Sequence, residues 1–394
     1  METKELLKIA DTKLLKVTNR PEIIMQKGQG LNLIDTEGNV YLDFIGGWAV
    51  NCLGHSPKII SDALAEQSLI LINASPSFYN VPMLEYTELL THHCCFDRVF
   101  FTSTGAEANE GAIKLARKYG SKYKNGASDI ITTFRGFHGR TLTTMAATGK
   151  EEWEKLFEPK TKGFIKTVFN DVESVRQAVT ENTCAIMIEP IQGEGGVNVA
   201  DDGYVKKLRQ LCSEENILLI FDEIQTGMGR TGKLFCYEHY GIEPDIMTLG
   251  KGIGGGFPLS ALLAKERLNI FDPGDQGGTY TAQPLAMSVG LAVLKELLNK
   301  NLVTHTRKMG DLMMKRLTEL SERYEIENIR GKGLLIAFDL MITKGADFVT
   351  KCLKDKLLIN SPKETSIRLM PPLVVNEAEI EKAISIFKNN LAER

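Results

Sequence analysis

The sequence contains no apolar run that approaches the roughly 18 consecutive residues of a membrane-spanning helix. It also lacks an excess of charge of one sign, because 47 Lys and Arg residues stand against 50 Asp and Glu residues, which gives a net charge of −3. Proteins that bind nucleic acids or anionic membranes through their charge have a basic surface instead. We therefore expect neither nucleic acid nor a membrane among the partners of this protein.

The seven cysteines have no regular spacing, and their odd number does not fit a complete set of disulfides. Scattered thiols of this kind are typical of reduced, cytosolic proteins. The run from His92 to Cys95 does not form a metal-binding pattern, because adjacent side chains point apart and no second ligand pair has the spacing of a zinc site. The charged N-terminal residues lack the apolar segment of a secretory signal. We expect a cytoplasmic protein without a metal centre.

Predicted strands and helices alternate in the first half of the chain. Short apolar runs that predict strands lie at 99–101, 130–134, 185–188 and 217–221, and helical patterns separate them at 106–118, 172–179 and 203–212. This alternation predicts an α/β fold in which a mainly parallel sheet lies between layers of helices. Such a sheet binds its ligand beyond the carboxyl ends of its strands.

A Pro- and Gly-rich stretch at 271–278 interrupts the alternation. Beyond it, helical patterns and three short strands indicate a smaller α+β domain. The chain has 394 residues, which is long enough for two domains. We divide it into an N-terminal segment of residues 1–50 that packs with the small domain, a large domain of residues 51–283, and a small C-terminal domain of residues 284–394.

Two of the predicted strands lead to residues that can do chemistry. The run 217–221 is followed by Asp222, and the run 246–249 leads to Lys251 and a cluster of glycines. A carboxylate at the end of a buried strand requires a cationic partner, and the glycines allow a bulky ligand to approach the backbone. The acid and the amine therefore predict a cofactor that is held between them.

A third feature is the Ser-Thr-Gly-Ala turn at 103–106, which follows a strand and opens a helix. The free N–H groups and the positive dipole at such a helix N-terminus suit a phosphate group. An ordinary N-cap by the hydroxyl groups explains the same residues equally well. Together, a phosphate site, a buried Asp and a strand-end Lys match the requirements of pyridoxal phosphate (PLP).

Six motifs, in order and with the family's spacing, resemble the class III aminotransferases. They are Ser-Thr-Gly-Ala-Glu-Ala-Asn-Glu at 103–110, Phe-His-Gly-Arg-Thr at 137–141, Glu-Pro-Ile-Gln-Gly-Glu-Gly-Gly at 189–196, Phe-Asp-Glu-Ile-Gln-Thr-Gly-Met-Gly-Arg-Thr-Gly at 221–232, Lys251 with Gly-Gly-Gly-Phe-Pro at 254–258, and Arg-Leu-Met-Pro-Pro-Leu at 368–373. The chain most resembles the acetylornithine/ornithine aminotransferase branch. The resemblance implies fold type I of the PLP-dependent enzymes and a homodimer.

The resemblance also implies which residues bind the cofactor. Lys251 is the Schiff-base lysine and proton carrier, Asp222 pairs with the pyridinium nitrogen, and Gln225 lies near the ring hydroxyl. Phe137 stacks on the ring face. The residues at the phosphate end are Ser103, Thr104, Gly105 and Ala106 of one subunit, with Gly105 and Ala106 offering backbone groups, and Thr279 of the neighbouring subunit. The two subunits would then share their active sites.

Four further residues concern the substrates. The resemblance places Arg140 at the distal carboxylate of the substrate and Arg368 at the carboxylate beside the reacting carbon. An ω-amine lacks the latter carboxylate, which leaves Arg368 as a buried charge without a partner, at a cost of several kcal/mol. We hypothesise that Glu194, in a flexible Gly-rich loop, neutralises Arg368 and swings aside for glutamate. Trp48 is expected in the substrate pocket, which it narrows.

These implications describe a PLP-dependent transaminase with a ping-pong mechanism, which exchanges an amino group between an ω-amine of the N-acetylornithine type and 2-oxoglutarate, as in arginine biosynthesis. Its partners are then an amine donor and a 2-oxo acid. Ornithine, succinylornithine, 4-aminobutyrate and a lysine-pathway semialdehyde stay open as substrates. The rival classes are an NAD-dependent oxidoreductase and a non-catalytic cofactor-binding protein. Glycines 250–255 fit a dinucleotide pattern, but the Phe-Pro pair at 257–258 argues against the helix that this pattern needs.

Overall fold

The computed structural model describes residues 2–392. Its α-helices are α1 (Thr3–Lys13), α2 (Gly46–Ala49), α3 (Lys58–Ser68), α4 (Val81–His92), α5 (Gly105–Tyr123), α6 (Leu142–Ala147), α7 (Val172–Ala178), α8 (Asp202–Glu214), α9 (Pro284–Asn299), α10 (Leu302–Ser321), α11 (Gly345–Lys354) and α12 (Glu377–Ala392). Its β-strands are β1 (Met25–Gln29), β2 (Asn32–Asp35), β3 (Val40–Asp43), β4 (Arg98–Thr102), β5 (Asp129–Thr133), β6 (Phe164–Thr167), β7 (Thr183–Ile188), β8 (Ile191–Gln192), β9 (Asn198–Val199), β10 (Leu218–Asp222), β11 (Ile246–Leu249), β12 (Ser260–Ala264), β13 (Ile326–Lys332), β14 (Leu335–Leu340), β15 (Leu357–Leu358) and β16 (Ser366–Leu369). Within the described residues, no helix has both the length and the apolar character needed to cross a membrane.

The central sheet has seven strands in the order β4-β12-β11-β10-β7-β5-β6. The five adjacent strands β11-β10-β7-β5-β6 are parallel to one another. Strand β12 runs antiparallel to both of its neighbours, β11 and β4. Strands β7, β10, β11 and β12 are buried along their whole length, which accounts for their continuous apolar sequences. The prediction of an α/β fold with a mainly parallel sheet is confirmed.

The carboxyl ends of β10 and β11 lie side by side in this sheet. Their register pairs Asp222, the last residue of β10, with Thr248. Lys251 follows the end of β11 by two residues, so it emerges at the same edge. Helix α5 packs on β11 and β12 through a buried face that includes Ala112 and Leu115. This packing fixes the N-terminus of α5 next to the two strand ends.

The N-terminal and C-terminal parts of the chain pair with each other. Sheet β1-β2-β3-β15 joins three N-terminal strands to β15, where Leu42 lies beside Leu357. The antiparallel sheet β13-β14-β16 is covered by α10, which also packs against α12. These elements form the smaller α+β unit. The boundaries at residues 50 and 283 stay predictions, and residues 1, 393 and 394 of the predicted segments lie outside the described residues.

A buried arginine fastens this smaller unit to the central sheet. Arg230, in the loop that follows β10, donates hydrogen bonds to the carbonyl groups of Leu334 and Pro371. Leu334 immediately precedes β14, and Pro371 lies two residues beyond β16. Because β16 carries Arg368, the position of Arg368 relative to Asp222 and Lys251 depends on this contact.

Candidate active site

A cavity of about 320 Å³ opens at the carboxyl ends of β10 and β11. Its lining residues are Gly105, Ala106, Phe137, His138, Gly139, Arg140, Glu189, Glu194, Asp222, Ile224, Gln225 and Lys251. Most of the residues predicted to bind the cofactor or the substrate are in this set, although they come from segments far apart in the sequence. The structure therefore brings the greater part of the predicted site together at the sheet edge where a ligand was expected.

Asp222 is held in place by three hydrogen-bond donors. Its Oδ1 accepts from the Ile224 N–H at 3.1 Å, and its Oδ2 lies 2.8 Å from both Asn109 Nδ2 and His138 Nδ1. The side chain is only 3% exposed. Within residues 2–392, His138 is the only side chain that forms an ion-pair contact with Asp222. A fixed, buried carboxylate of this kind suits a cationic group in the cavity.

Asn109 and His138 form the support of Asp222, and the sequence analysis did not identify them. Asn109 is fully buried, donates to the His138 carbonyl at 2.7 Å, and accepts from Thr248 Oγ1 at 2.7 Å. A signal was present in the sequence, because Asn109 lies at helical spacing from Ala112 and Ala116 on the apolar face of α5. His138 directly follows Phe137 in the sequence, and the structure shows it in direct contact with the predicted catalytic carboxylate.

Lys251 borders the cavity with a backbone conformation that is unusual for a residue with a side chain. Its φ is 49°, a left-handed value that costs roughly 1–2 kcal/mol and is typical of functional sites. Burial lowers the pKa of its amine, and the carboxylates of Asp222, Glu194 and Glu189 oppose this effect only in part. The lowered pKa increases the fraction of the neutral amine, which is the nucleophilic and basic form.

Two roles were considered for the 103–106 turn, a phosphate site and an ordinary N-cap, and different residues of the turn suit each role. Thr104 is the N-cap of α5 and forms a capping box with Glu107, whose Oε2 also accepts from the Ser103 N–H at 2.9 Å. Ser103 and Thr104 lie outside the lining of the cavity, whereas Gly105 and Ala106 border it. The first N–H groups of a helix have no acceptor within the helix, so a phosphate group can bind at these two residues.

Polar atoms and glycines around the cavity fit the predicted cofactor. The buried Oε1 of Gln225 has no hydrogen-bond partner among the described residues, which is the condition expected of an acceptor reserved for a ligand hydroxyl. A Cβ atom on Gly105 would lie 2.7 Å from the side chain of Ile224, so only glycine keeps this wall of the cavity open. An aromatic ring, an acid, an amine and a helix N-terminus are thus all present.

Phe137 is positioned by a buried glutamate. Its N–H donates to Glu189 Oε2 at 2.8 Å, and the N–H of Gly193 donates to Glu189 Oε1 at 3.3 Å. Burial and the negative charge of Asp222 raise the pKa of Glu189 to about 8. These two contacts make Glu189 an anchor for both Phe137 and the loop that carries Glu194.

The predicted ion pair between Glu194 and Arg368 is present. Glu194 Oε1 accepts from Arg368 Nη1 at 2.7 Å, and the Arg368 side chain is fully buried. A second nitrogen of the guanidinium, Nη2, has no hydrogen-bond partner among the described residues. Although burial would raise the pKa of Glu194, Arg368 and then Lys150 hold it below its usual value. The pair therefore leaves one Arg368 nitrogen available.

Arg140 also lines this cavity. Its guanidinium carbon lies 5.9 Å from the ring centroid of Phe137 and 5.1 Å from that of Trp153, so two aromatic rings hold the cation. The residue is exposed. Arg140 thus presents an exposed cation to the cavity, whereas the buried Arg368 is connected to the cavity through Glu194, which lines it.

Five predicted site residues do not line this cavity, namely Ser103, Thr104 and Arg368, which are described above, and Trp48 and Thr279. Trp48 is 51% exposed and has a positive φ of 61°. Thr279 lines a separate groove together with Ser103 and Glu107. Helix α2, which carries Trp48, packs against the turn that contains Lys251, whereas the role predicted for Thr279 requires a second copy of the chain. Both roles stay predictions.

The rival types of site find no support in the geometry. A dinucleotide-binding turn requires an α-helix directly after its glycines. In this structure Lys251–Ile253 form only a single 3₁₀ turn, and strand β12 follows the glycines. Across the described part of the chain, no group of three His, Cys, Asp or Glu side chains could hold a metal ion.

Comparison with known proteins agrees with this geometry. The family model of the class-III aminotransferases matches residues 15–391. The acetylornithine aminotransferase of Ralstonia nicotianae is 48% identical to the chain over 96% of both proteins, and that of Caldanaerobacter subterraneus is 44% identical over 96% of this chain and 97% of its own. A solved ornithine aminotransferase from Toxoplasma gondii, reported with partial occupancy of PLP at its active site, has a TM-score of 0.95 at 31% identity and covers 99% of this chain and 94% of its own. The solved acetylornithine aminotransferase of Elizabethkingia anophelis has a TM-score of 0.89 at 32% identity over the whole of both chains.

Proposed function

The chain belongs to the class-III aminotransferases, and from this premise we propose that it exchanges an amino group between N-acetylornithine and 2-oxoglutarate with PLP as its cofactor. One observation carries the proposal: Asp222, Lys251 and Glu194 line a single cavity, and Glu194 forms an ion pair with the buried Arg368. The first two residues serve a cofactor, and the ion pair serves two substrates that differ by one carboxylate.

The proposed cofactor contacts follow from the lining of the cavity. Lys251 would be the covalent anchor of the cofactor, Asp222 would pair with its ring nitrogen, and Phe137 would stack on its ring. Gly105 and Ala106 bind the phosphate group through their N–H groups. When bound, PLP supplies an electron-accepting ring that stabilises the negative charge left on the amine-bearing carbon after its proton departs.

The residues of the chain provide the proton transfers and the orientation. Lys251 Nζ, with its lowered pKa, takes the proton from the amine-bearing carbon and returns it at the other end of the reacting group. Asp222 would favour a proton on the ring nitrogen of the cofactor by its negative charge, and His138 and Asn109 keep its carboxylate in position. The ring of Phe137 would exclude water from one face of the cofactor ring.

Two substrates use the same cationic groups in different ways. The distal carboxylate of either substrate binds Arg140. Glutamate also has a carboxylate beside the reacting carbon, and this group binds Arg368 after Glu194 has left it. N-acetylornithine has no carboxylate there, because its carboxylate lies at the far end. With the ω-amine bound, Glu194 stays on Arg368 and prevents an unpaired buried charge.

The names of the relatives support N-acetylornithine as the ω-amine. Curated relatives that are 41–48% identical over nearly the whole chain are acetylornithine aminotransferases. Ornithine is the second candidate, because several solved structures with closely similar folds are ornithine aminotransferases.

A half-reaction screen tests the proposed function. The purified PLP-loaded protein is mixed with one amine at a time, namely N-acetylornithine, succinylornithine, ornithine, 4-aminobutyrate or glutamate, and the loss of the visible absorbance of the cofactor is followed in a stopped-flow instrument. We expect both N-acetylornithine and glutamate to bleach the colour, with kcat/KM for N-acetylornithine at least about tenfold above that for ornithine. A colourless protein that requires a nicotinamide cofactor would refute the proposal.

We also propose that the active enzyme is a homodimer. Large apolar side chains are exposed along residues 69–84, including Leu69, Phe78 and Tyr79, and Tyr280 is exposed in the loop that carries Thr279. Asn80 Nδ2 donates to the Ala282 carbonyl at 2.9 Å, which joins the two segments. An apolar surface of this extent is typical of a subunit interface, and a second copy on it would bring Thr279 near the neighbouring cavity.

Subunit complementation tests this arrangement. We expect Lys251→Ala and Thr279→Ala to be impaired separately, and their co-expression to restore roughly a quarter of the wild-type activity, because half of randomly paired dimers contain one intact site. Light scattering of the purified protein gives the mass of the assembly. Activity that does not rise above the mean of the two variants would show that Thr279 acts within its own chain.

We place the enzyme in the cytoplasm. Its seven cysteines are all unpaired, and reduced thiols are typical of that compartment.

A further inference from the structure

Lys150 lies beside the Glu194–Arg368 ion pair, although it belongs to none of the motifs considered above. Its Nζ is 3.9 Å from Glu194 Oε2, while the other carboxylate oxygen of Glu194 accepts from Arg368. The two oxygens of one carboxylate therefore face two different cations. The side chains of Lys150 and Glu194 are about as buried as each other, at 20% and 25% exposure.

The ammonium group of Lys150 is held at a fixed place. Its Nζ lies 5.2 Å from the ring centroid of Phe137 and 5.1 Å from that of Trp153, which is within the range of cation–π contacts. The backbone at Gly149 is fastened to the turn after β5, because the Arg135 N–H donates to the Gly149 carbonyl at 2.8 Å and the Gly149 N–H donates to the Gly136 carbonyl at 3.0 Å.

The charges around Lys150 favour the approach of Glu194. Burial lowers the pKa of Lys150, the charges of Arg140 and Lys363 lower it further, and Glu194 opposes them with some help from Glu152. Glu194 is the acid with the larger effect on Lys150. A closer contact between the two side chains would therefore stabilise both charges.

The loop that carries Glu194 is held at both ends, although its glycines suggest flexibility. At one end, Glu189 accepts from the Gly193 N–H. At the other end, Arg330 Nε donates to the Gly196 carbonyl at 2.8 Å, and Arg330 is itself fixed by Asp339 and Ser366. Glu194 must then leave Arg368 by rotation of its side chain, so its next partner has to lie within reach of that rotation.

We propose that Lys150 is a specificity-determining residue that receives the Glu194 carboxylate when the carboxylate of glutamate takes its place on Arg368. Only a small rotation separates the 3.9 Å contact from a full ion pair. Among the described residues, Lys150 is the only cation other than Arg368 that lies within 4 Å of the Glu194 carboxylate in its present position. This inference rests on the proposed function, in which the two substrates differ at Arg368.

The test compares Lys150→Met with its charge-retaining counterpart Lys150→Arg. We expect Lys150→Met to lower the ratio of kcat/KM for glutamate to kcat/KM for N-acetylornithine about fivefold, as for an ion pair of intermediate burial. Lys150→Arg should restore the ratio to within about twofold of the wild type. Lys363→Met is the matched control, because it removes a nearby positive charge that forms no ion pair within residues 2–392, and it should leave the ratio unchanged.

A double-mutant cycle shows whether Lys150 acts through Glu194. Glu194→Ala should itself change the ratio, and in its background the further change Lys150→Met should have no effect on the ratio. A binding measurement gives a second readout: calorimetric titration with glutarate, an unreactive dicarboxylate, should show about fivefold weaker binding to Lys150→Met than to the wild type.

Two results would overturn the role of Lys150. One is an equal loss of both half-reactions in Lys150→Met, which would mean that Lys150 contacts the shared carboxylate or supports the fold. The other is an undiminished effect of Lys150→Met in the Glu194→Ala background. A wild-type protein that reacts with neither amine would instead refute the proposed function, while the glutarate titration would still measure the exchange at Arg368.

Discussion

Replacement of Lys251 by alanine is expected to lower the rate of both half-reactions by at least about a thousandfold. The variant loses the covalent anchor and the base that moves the proton, and general acid–base catalysis alone contributes roughly 10²–10⁴. No other amine replaces it, because Lys251 is the only lysine in the lining of the cavity. Borohydride reduction followed by mass spectrometry should show the cofactor attached to the wild-type chain and absent from the variant.

A small primary amine added to Lys251→Ala should restore part of the activity, because it supplies the missing base. The matched control is Lys166→Met. Burial lowers the pKa of Lys166 to about 7, but its Nζ donates to Thr132 Oγ1 and the Ala146 carbonyl, away from the cavity. That variant should lose thermal stability and keep its covalent cofactor. Retained attachment in Lys251→Ala would assign the anchor to another lysine.

Asp222→Asn is expected to lower kcat about a hundred- to a thousandfold. The substitution keeps the shape of the side chain and removes the negative charge that holds the proton on the ring nitrogen. Loss of one partner of a buried ion pair costs about 3–5 kcal/mol, and about 1.4 kcal/mol corresponds to a factor of ten in rate. Single-turnover rates with glutamate and N-acetylornithine should fall by similar factors, because both half-reactions use the same ring.

The adjacent residue provides the control for Asp222→Asn. Glu223 is also a fully buried carboxylate, but it accepts from the N–H groups of Cys236 and Tyr237 and lies outside the cavity. Glu223→Gln should lower the melting temperature, since the amide offers one acceptor oxygen where two were used, and should change kcat by less than about threefold. If the two variants lost activity in proportion to stability, Asp222 would be a structural residue.

The sequence predicted the strands that position the site because each is continuous in its apolar residues. Runs of this kind at 217–221 and 246–249 became β10 and β11, with Asp222 and Lys251 at their ends. The sequence pattern did not predict strand β12. Its sequence, Ser-Ala-Leu-Leu-Ala, has no β-branched residue and favours a helix by propensity. Only pairing with β11 and β4 makes this segment a strand.

The motifs of the sequence predicted residues that would contact the ligand directly. Asn109, His138 and Lys150 instead contact other site residues, and these contacts join positions far apart in the chain, such as Asn109 and Asp222. Sequence spacing does not reveal such contacts, because they depend on how α5 and the strand ends meet. The predicted role of Thr279 depends on a second copy of the chain, and the roles of both Trp48 and Thr279 stay predictions.

The sequence by itself determined the type of fold, and it predicted the cofactor chemistry and the pair of residues at its centre, because periodicity and strand-end residues are local properties of the chain. The tertiary structure decided what surrounds them. It placed Arg368 against Glu194 across 174 residues of sequence, fastened both ends of the Glu194 loop, and put Lys150 within reach of the same carboxylate. Those placements follow from the packing of separate elements, which no local pattern encodes.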